Sequence, residues 1–287
     1  MRWLVTGARG MLGREVVALL RDRGEEVTAA GRSELDVREA AAVEEAVAGH
    51  DVVVGCAAWT DVDGAETHEA EAFAVNATGA ENLARAASRH GARLLHVSTD
   101  YVFSGEATEP YSEDAATSPR SAYGRSKEAG ERAVLGHGQA VVRTAWLYGA
   151  HGPCFPRTIA RLARERGSLR VVDDQVGQPT WAADLARVLV ELGRTGAPAG
   201  VFHAVSAGRT SWYGFARAVV ATAGLDPGIV SPCTTAEHPR PAPRPAWSVL
   251  ASTRLEQVGV APIGPWEERW REAALEVLDK RGEPGAT

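Results

Sequence analysis

This sequence predicts an α/β fold: a doubly wound parallel sheet with a smaller C-terminal region. Three observations carry that reading. Residues 2–6 (Arg-Trp-Leu-Val-Thr) read as a short buried strand, and the glycine-rich turn Gly7-Ala8-Arg9-Gly10-Met11-Leu12-Gly13 leads from it straight into a helical pattern. Strand-like and helix-like patterns then alternate through the first half of the chain, as in sheets built with right-handed crossovers. Several of the strands, such as Val52-Val53-Val54, are unbroken apolar runs, which belong in a parallel sheet covered on both faces.

The elements follow in order. Strands are expected at 3–6, 26–30, 51–55, 93–98 and 140–143, with helices at 12–23, 39–48, 65–90 and 123–135 between them. The glycine spacing G-x-x-G-x-x-G has a physical purpose at each position. Gly7 permits the tight turn, Gly10 lets backbone approach a pyrophosphate, and Gly13 lets helix and strand pack closely. The helix N-terminus adds free N–H groups and a partial positive charge. Gly7, Gly10, Met11, Leu12 and Gly13 are therefore candidate dinucleotide contacts of a Rossmann-type domain.

The second strand ends in Gly31-Arg32-Ser33, where an NAD-specific site usually places a carboxylate for the ribose hydroxyl. Arg32, with Arg9 in the glycine turn, suits a 2′-phosphate. NADPH is the preferred cofactor on this reading, and Glu34 and Asp36 leave NADH open. Asp36 and Val37 join Arg32 as candidate cofactor contacts.

The second half is less regular. Helices are expected at 155–166, 182–192, 211–223 and 266–280, and a proline-rich stretch at 239–245 reads as an extended connection. Trp266 and Trp270 fit one packed face of the last helix, inside the subunit or at an interface. The expected organisation is a dinucleotide-binding domain over 1–150, with chain returns from the second half, and a mainly substrate-binding region over 151–287. Its tail is expected to be disordered from about residue 282.

Composition narrows the function. A net charge of −6 over 287 residues argues against a nucleic-acid surface. No apolar run approaches the ~20 residues of a membrane span, and a strand starting at residue 2 leaves no room for a signal peptide. Cys56, Cys154 and Cys233 show no ligand spacing and read as free thiols in a reducing compartment. The expected setting is cytoplasmic, with a small-molecule partner, no metal site, and a homodimer left open.

Arginine supplies 29 of the 31 basic side chains, and one of the two lysines is Lys127, four residues after Tyr123. Lysine is a compact point charge where arginine is a wide planar fork. On a helix, positions four apart share a face, so phenol and ammonium can meet. A nearby cation lowers a phenol pKa, which yields an acid or base usable near neutrality.

The strand Leu94-Leu95-His96-Val97-Ser98 runs into Thr99-Asp100-Tyr101-Val102-Phe103-Ser104-Gly105. With the glycine turn and the Tyr123/Lys127 pair, this resembles an extended short-chain dehydrogenase/reductase, most closely the dTDP-4-dehydrorhamnose reductase family. Further segments agree over nearly the whole chain: 57–63 with Ala65-Glu66, Val75-Asn76 with 82–84, 143–149, 174–180 and 244–250. Trp59, where other residues are usual, and Ala251, where an acid is usual, depart from the pattern.

The resemblance implies reduction at C4 of a dTDP-linked 4-keto-6-deoxysugar, most directly dTDP-4-dehydrorhamnose to dTDP-L-rhamnose. It implies Thr99, Tyr123 and Lys127 as catalytic residues, with Tyr123 and Lys127 also meeting the cofactor. It adds Ala57, Ala58, Trp59 and Thr60 to the cofactor contacts, and Thr99, Asp100, Tyr101 and Trp146 as substrate contacts. Asp100 can instead cap a turn, and core packing is the competing use of Trp146. Arg244 can meet a pyrophosphate or stand as a solvated charge. Tyr101 stands where related dehydratases carry the acid that drives elimination. Sibling 4-ketoreductases of secondary-metabolite pathways, including dihydrostreptose-type synthases, share these residues. A regulatory subunit of methionine adenosyltransferase, which is non-catalytic, also resembles the family.

Overall fold

The computed structural model describes residues 1–279. Six strands form one parallel sheet: β1 (Arg2–Thr6), β2 (Glu26–Ala30), β3 (Val52–Gly55), β4 (Arg93–Thr99), β5 (Ala140–Thr144) and β6 (Gly200–His203). Their order is β6-β5-β4-β3-β1-β2, with every pairing parallel. The helices are α1 (Met11–Asp22), α2 (Ala40–Val47), α3 (Glu69–Phe73), α4 (Gly79–His90), α5 (Ala122–Gly136), α6 (Phe155–Arg166), α7 (Ala182–Thr195), α8 (Trp212–Thr222) and α9 (Trp266–Asp279).

Successive strand residues point to opposite faces, so an unbroken apolar run fills two cores at once. Trp3, Val5, Val52 and Val54 pack with Val16 and Leu20 of α1 and Leu189 of α7. Leu4 and Val53 pack on the other face with Val43 of α2 and Leu83 of α4. The parallel doubly wound sheet expected from the sequence is therefore present. The four-residue β6 was not foreseen, because Gly-Val-Phe-His has only two large apolar residues between a glycine and a histidine and makes no apolar run like that of β3.

The expected helix over 65–90 is broken. Gly64–Glu66 is a 3₁₀ turn, α3 follows, Ala74–Thr78 is a π-helical turn, and α4 completes the run. The insertion has a physical reason. Asn76, fully buried in the π turn, accepts from the Trp59 backbone N–H (2.8 Å) and donates to the Trp59 carbonyl (3.1 Å) and the Ser126 hydroxyl (2.9 Å). Widening the helix by one residue aims this side chain at the loop after β3, and such turns are frequent at functional sites.

The remaining chain forms a third core, where Ile159 of α6, Phe215 of α8, and Trp266 and Trp270 of α9 meet Leu169 and Val230. The two tryptophans thus pack inside the subunit. Leu169–Val172 and Val230–Cys233 pair as a separate parallel ribbon. All three cysteines are free. Lys280 and the tail from 282 lie outside the described residues. Among the described residues, no helix is long and apolar enough to cross a membrane.

Helix α5 approaches the π turn so closely that a Cβ at Gly130 would lie 2.2 Å from the Asn76 carbonyl oxygen. Gly130→Ala is expected to destabilise the fold by about 1–3 kcal/mol, the range for overpacking a rigid contact. Urea denaturation checks this, and an unchanged midpoint would show that α5 can shift freely.

Candidate active site

The strand order reverses between β1 and β3, and a ligand crevice is expected outside the carboxyl ends of strands at such a point. Gly7 sits there at φ +63°. A Cβ on Gly7 would lie 2.7 Å from the Ala57 nitrogen, and one on Gly13 would lie 2.3 Å from the Gly7 carbonyl oxygen. A Cβ on Gly10 would meet only Gly7 O, at 3.3 Å, and Gly10 is exposed. The cradle is thus closed beneath and open above. At the start of α1 no side chain caps the helix and no acid lies in its first turn, so the first backbone N–H groups are available to an anion. These features fit a dinucleotide pyrophosphate. Met11 is half-buried, while Leu12 packs into the core and can contribute only backbone.

At the end of β2, Arg32 and Ser33 are exposed. The Glu34 carboxylate accepts from the Gly31 N–H (3.0 Å) and the Ser33 hydroxyl (3.0 Å) and is in close contact with Arg9. Asp36 accepts from Arg38 Nε (2.9 Å), and that guanidinium holds its carboxyl down at about 2. Both acids that kept NADH open are therefore matched to arginines, while Arg32 is exposed beside them. Val37 is buried against Gly79, with its carbonyl held by Asn82 (3.0 Å). Ala57, Ala58 and Trp59 are half-buried in the loop after β3, and Thr60 is exposed.

The chemistry-bearing residues converge at the carboxyl end of β4. Thr99 closes the strand, and its hydroxyl accepts from the Tyr101 N–H (3.2 Å) and donates to Asp100 Oδ1 (2.9 Å). Asp100 is 2% exposed, and burial pushes its carboxyl up to about 6 against the pull of the Ser248 and Thr99 hydroxyls. Helix α5 begins opposite, capped by Ser121, which accepts from the Gly124 N–H (3.0 Å). Glycine at 124 lets the helix reach the Tyr101 carbonyl, which a Cβ would meet at 2.3 Å. Tyr123 then stands edge-on to Tyr101, ring centroids 5.6 Å apart.

The expected lowering of the Tyr123 phenol is not realised. Burial pushes it up to about 12, with the Thr99 hydroxyl opposing. Lys127 is drawn away from it, onto the Val97 carbonyl (2.7 Å) and His96 Nε2 (3.3 Å) of β4. Burial lowers Lys127 itself to about 8, while Glu131 works to keep it charged. His96 was not singled out from the sequence, since a lone histidine in a strand carries no pattern.

The far wall comes from the second half of the chain. Trp146 follows β5 at φ +46°, the only non-glycine with positive φ among the described residues, a strained position for so bulky a side chain. Its indole stacks on Trp212 with centroids 3.6 Å apart and planes 6° apart. A Cβ at Gly177 would lie 2.4 Å from that indole. Neither Trp212 nor Gly177 shows its connection to Trp146 in the sequence. Arg244 is not a free solvated charge: it pairs with Asp63 (3.0 Å) and lies over the Tyr101 ring (6.0 Å). A cavity of about 250 Å³ opens beside it, lined by Tyr101, Arg120, Ser121, Thr235, Arg244 and Pro245.

A nucleotide cradle facing a Tyr-x-x-x-Lys helix and a strand-end threonine defines an extended short-chain dehydrogenase/reductase. More narrowly, the chain belongs to the dTDP-4-dehydrorhamnose reductase family: the family model described as the RmlD substrate binding domain matches residues 1–279. It is 48% identical over 295 residues to a dTDP-4-dehydrorhamnose reductase of Streptomyces griseus, covering 99% of this chain and 96% of that protein. It is 49% identical over 285 residues to a probable dTDP-4,6-dihydroxy-2-methyloxan-3-one 4-ketoreductase of Streptomyces antibioticus, covering 97% and 96%. Among solved structures, the dTDP-4-dehydrorhamnose reductase of Bacillus anthracis in complex with NADP superposes with a TM-score of 0.90 at 35% identity, covering 96% of this chain and 99% of that one.

Because Gly177 makes room for the strained tryptophan, Gly177→Ala is expected to displace the Trp146 indole and cost about 1–3 kcal/mol. Thermal denaturation with near-ultraviolet circular dichroism checks both effects. An unaltered aromatic signal would show that the indole pair does not depend on this contact.

Proposed function

We propose that this chain reduces the C4 ketone of a dTDP-4-keto-6-deoxysugar with NADPH, and that dTDP-4-dehydrorhamnose, yielding dTDP-L-rhamnose, is its substrate. The observation that carries the reading is the meeting of Thr99, Tyr123 and the buried Lys127 at the strand ends beside the glycine cradle. Bound reduced nicotinamide supplies hydride to the carbonyl carbon. Gly7, Gly10 and Gly13 admit the pyrophosphate, with the N–H groups of the first turn of α1 as donors. Arg32 reads the 2′-phosphate. Lys127 presents its charge and one N–H to the ribose side of the nicotinamide.

Tyr123 gives its proton to the ketone oxygen as that oxygen becomes an alkoxide. A phenol held up at about 12 is fully protonated at neutral pH, the form a reduction requires. It remains more acidic than an alcohol, so transfer to an alkoxide is downhill. Thr99 holds the same oxygen through its hydroxyl. Asp100 and Tyr101 stand at the sugar's edge, Trp146 supplies an apolar wall, and Arg244 beside its cavity suits the substrate's diphosphate. On this reading the described part of that second region, 151–279, supplies the substrate side of the cleft, while 182–203 return to the sheet.

The Streptomyces antibioticus relative favours a second reading, a sibling 4-ketoreductase acting on another dTDP-sugar with the same residues. Incubation with freshly generated dTDP-4-dehydrorhamnose separates the two. Stoichiometric loss of reduced-nicotinamide absorbance, with dTDP-L-rhamnose identified by NMR, supports the first reading. No oxidation with that sugar rejects it in favour of the sibling.

Tyr123→Phe is expected to lower turnover by about 10² to 10⁴ with NADPH binding retained. Near-normal turnover would remove the phenol from the mechanism. Arg32→Asp is expected to weaken NADPH by about tenfold or more, the scale of a lost charge-assisted contact, while affecting NADH little. Equal weakening of both cofactors, by fluorescence titration, would show that Arg32 does not read the 2′ position.

A further inference from the structure

Beneath the Tyr123/Lys127 helix lies a buried histidine for which the proton transfer above has no use. His96 of β4 is 1% exposed and Lys127 is 2% exposed. Their nitrogens are 3.3 Å apart, and the Lys127 ammonium also donates to the Val97 carbonyl at 2.7 Å. We infer that His96 is a positioning residue: it accepts one N–H of the Lys127 ammonium, so that with Val97 it fixes two donors and leaves the third to the dinucleotide. This rests on the reading that Lys127 meets the cofactor.

An ammonium has three donors and no acceptor. An imidazole nitrogen facing it must therefore carry a lone pair, and the ring must be neutral with its proton on Nδ1. Burial and the neighbouring Lys127 charge both hold His96 in that neutral form. The assignment leaves Nδ1–H pointing away from the lysine, and Nδ1 is buried without a hydrogen-bond partner. An orphaned donor in a core is destabilising and uncommon. The backbone of β3 also makes way for it, since a Cβ at Gly55 would lie 3.1 Å from Nδ1. The orphan has an explanation if the opposite nitrogen has a task, and the group it faces is the ammonium.

Without His96, Lys127 would have one fixed acceptor and could swing about the Val97 bond. Two acceptors on one strand define the direction of the remaining N–H. The other groups around the ammonium do not replace this contact. Glu131, one turn further along α5, acts on it through its field but is bound to Arg143 of β5 (2.9 and 2.7 Å). The Cys56 thiol, at the end of β3, is pushed up to about 12 by burial and stays neutral. Asp100 and Tyr123, at the mouth of the site, are engaged with Thr99.

The test uses His96→Phe, which keeps a ring and removes the acceptor, and His96→Gln, whose amide oxygen restores one. NADPH affinity is measured by fluorescence across pH 6 to about 10, a range that brackets the ordinary lysine and its lowered value. Loss of the ammonium should weaken binding in the wild-type chain as pH rises through about 8. Removing an acceptor destabilises the charged form, so in His96→Phe this loss should move to lower pH, with affinity at neutral pH down by about tenfold. His96→Gln should recover most of both. Unchanged affinity and an unmoved pH profile in His96→Phe would overturn the inference alone, as would a His96→Gln protein no better than His96→Phe. A wild-type chain that binds no NADPH would overturn the cofactor reading and this inference with it. His96→Leu repeats the test should His96→Phe not fold.

Discussion

An ammonium held out of water against a carbonyl and an imidazole is the contact around which this molecule is arranged. Taking such a charge into a protein interior costs several kcal/mol even after relaxation. The cost is offset here by direct bonds to Val97 and His96 and by the field of Glu131. Glu131 is itself buried and needs a counter-charge, which Arg143 provides in a two-bond pair. One lysine thus requires ordered partners on β4, on β5 and along α5. That requirement also places the phenol one turn earlier at the mouth of the crevice, where burial keeps it protonated.

A second set of contacts holds the two sides of the crevice in register. Asn76 grips both backbone groups of Trp59 and reaches Ser126 on α5. Glu66, in the 3₁₀ turn before α3, accepts from the Ala122 N–H at the start of the same helix (2.8 Å). The loop after β3, which borders the cradle, is therefore tied to the helix that carries Tyr123 and Lys127. Such coupling suits a reaction in which hydride donor and proton donor must face one carbonyl from two directions.

The sheet was legible in the sequence because four of its first five strands carry an apolar run, and each of the five is followed by a turn or a helical pattern. The cradle was legible because steric demands on glycine leave a spacing that few other needs produce. What the sequence hid depends on side chains meeting across elements. The π turn at Asn76 leaves no mark on periodicity until the backbone of Trp59 is known to lie opposite. His96 is one more residue in a buried strand until Lys127 is seen to descend onto it. The stack of Trp146 on Trp212 joins residues far apart in the chain. The direction of the Tyr123 shift was misread for a related reason: four residues of helical spacing bring two side chains to one face, but burial and competing acceptors decide whether they touch.

The placement of β6 bears on how the chain comes to be folded. Its partner β5 ends at Thr144, yet β6 begins at Gly200, and α7, which leads into it, packs against α1 from the first turn of the chain. The nucleotide-side core is then not complete when its own first 150 residues have left the ribosome. It must wait for α6, α7 and their connections to be synthesised, with one edge of the sheet and one face of α1 uncovered meanwhile. Exposed edges and apolar faces of this kind are where nascent chains misassociate. The same thread makes the two regions hard to separate by cleavage near residue 150, since either piece would leave part of the first core behind.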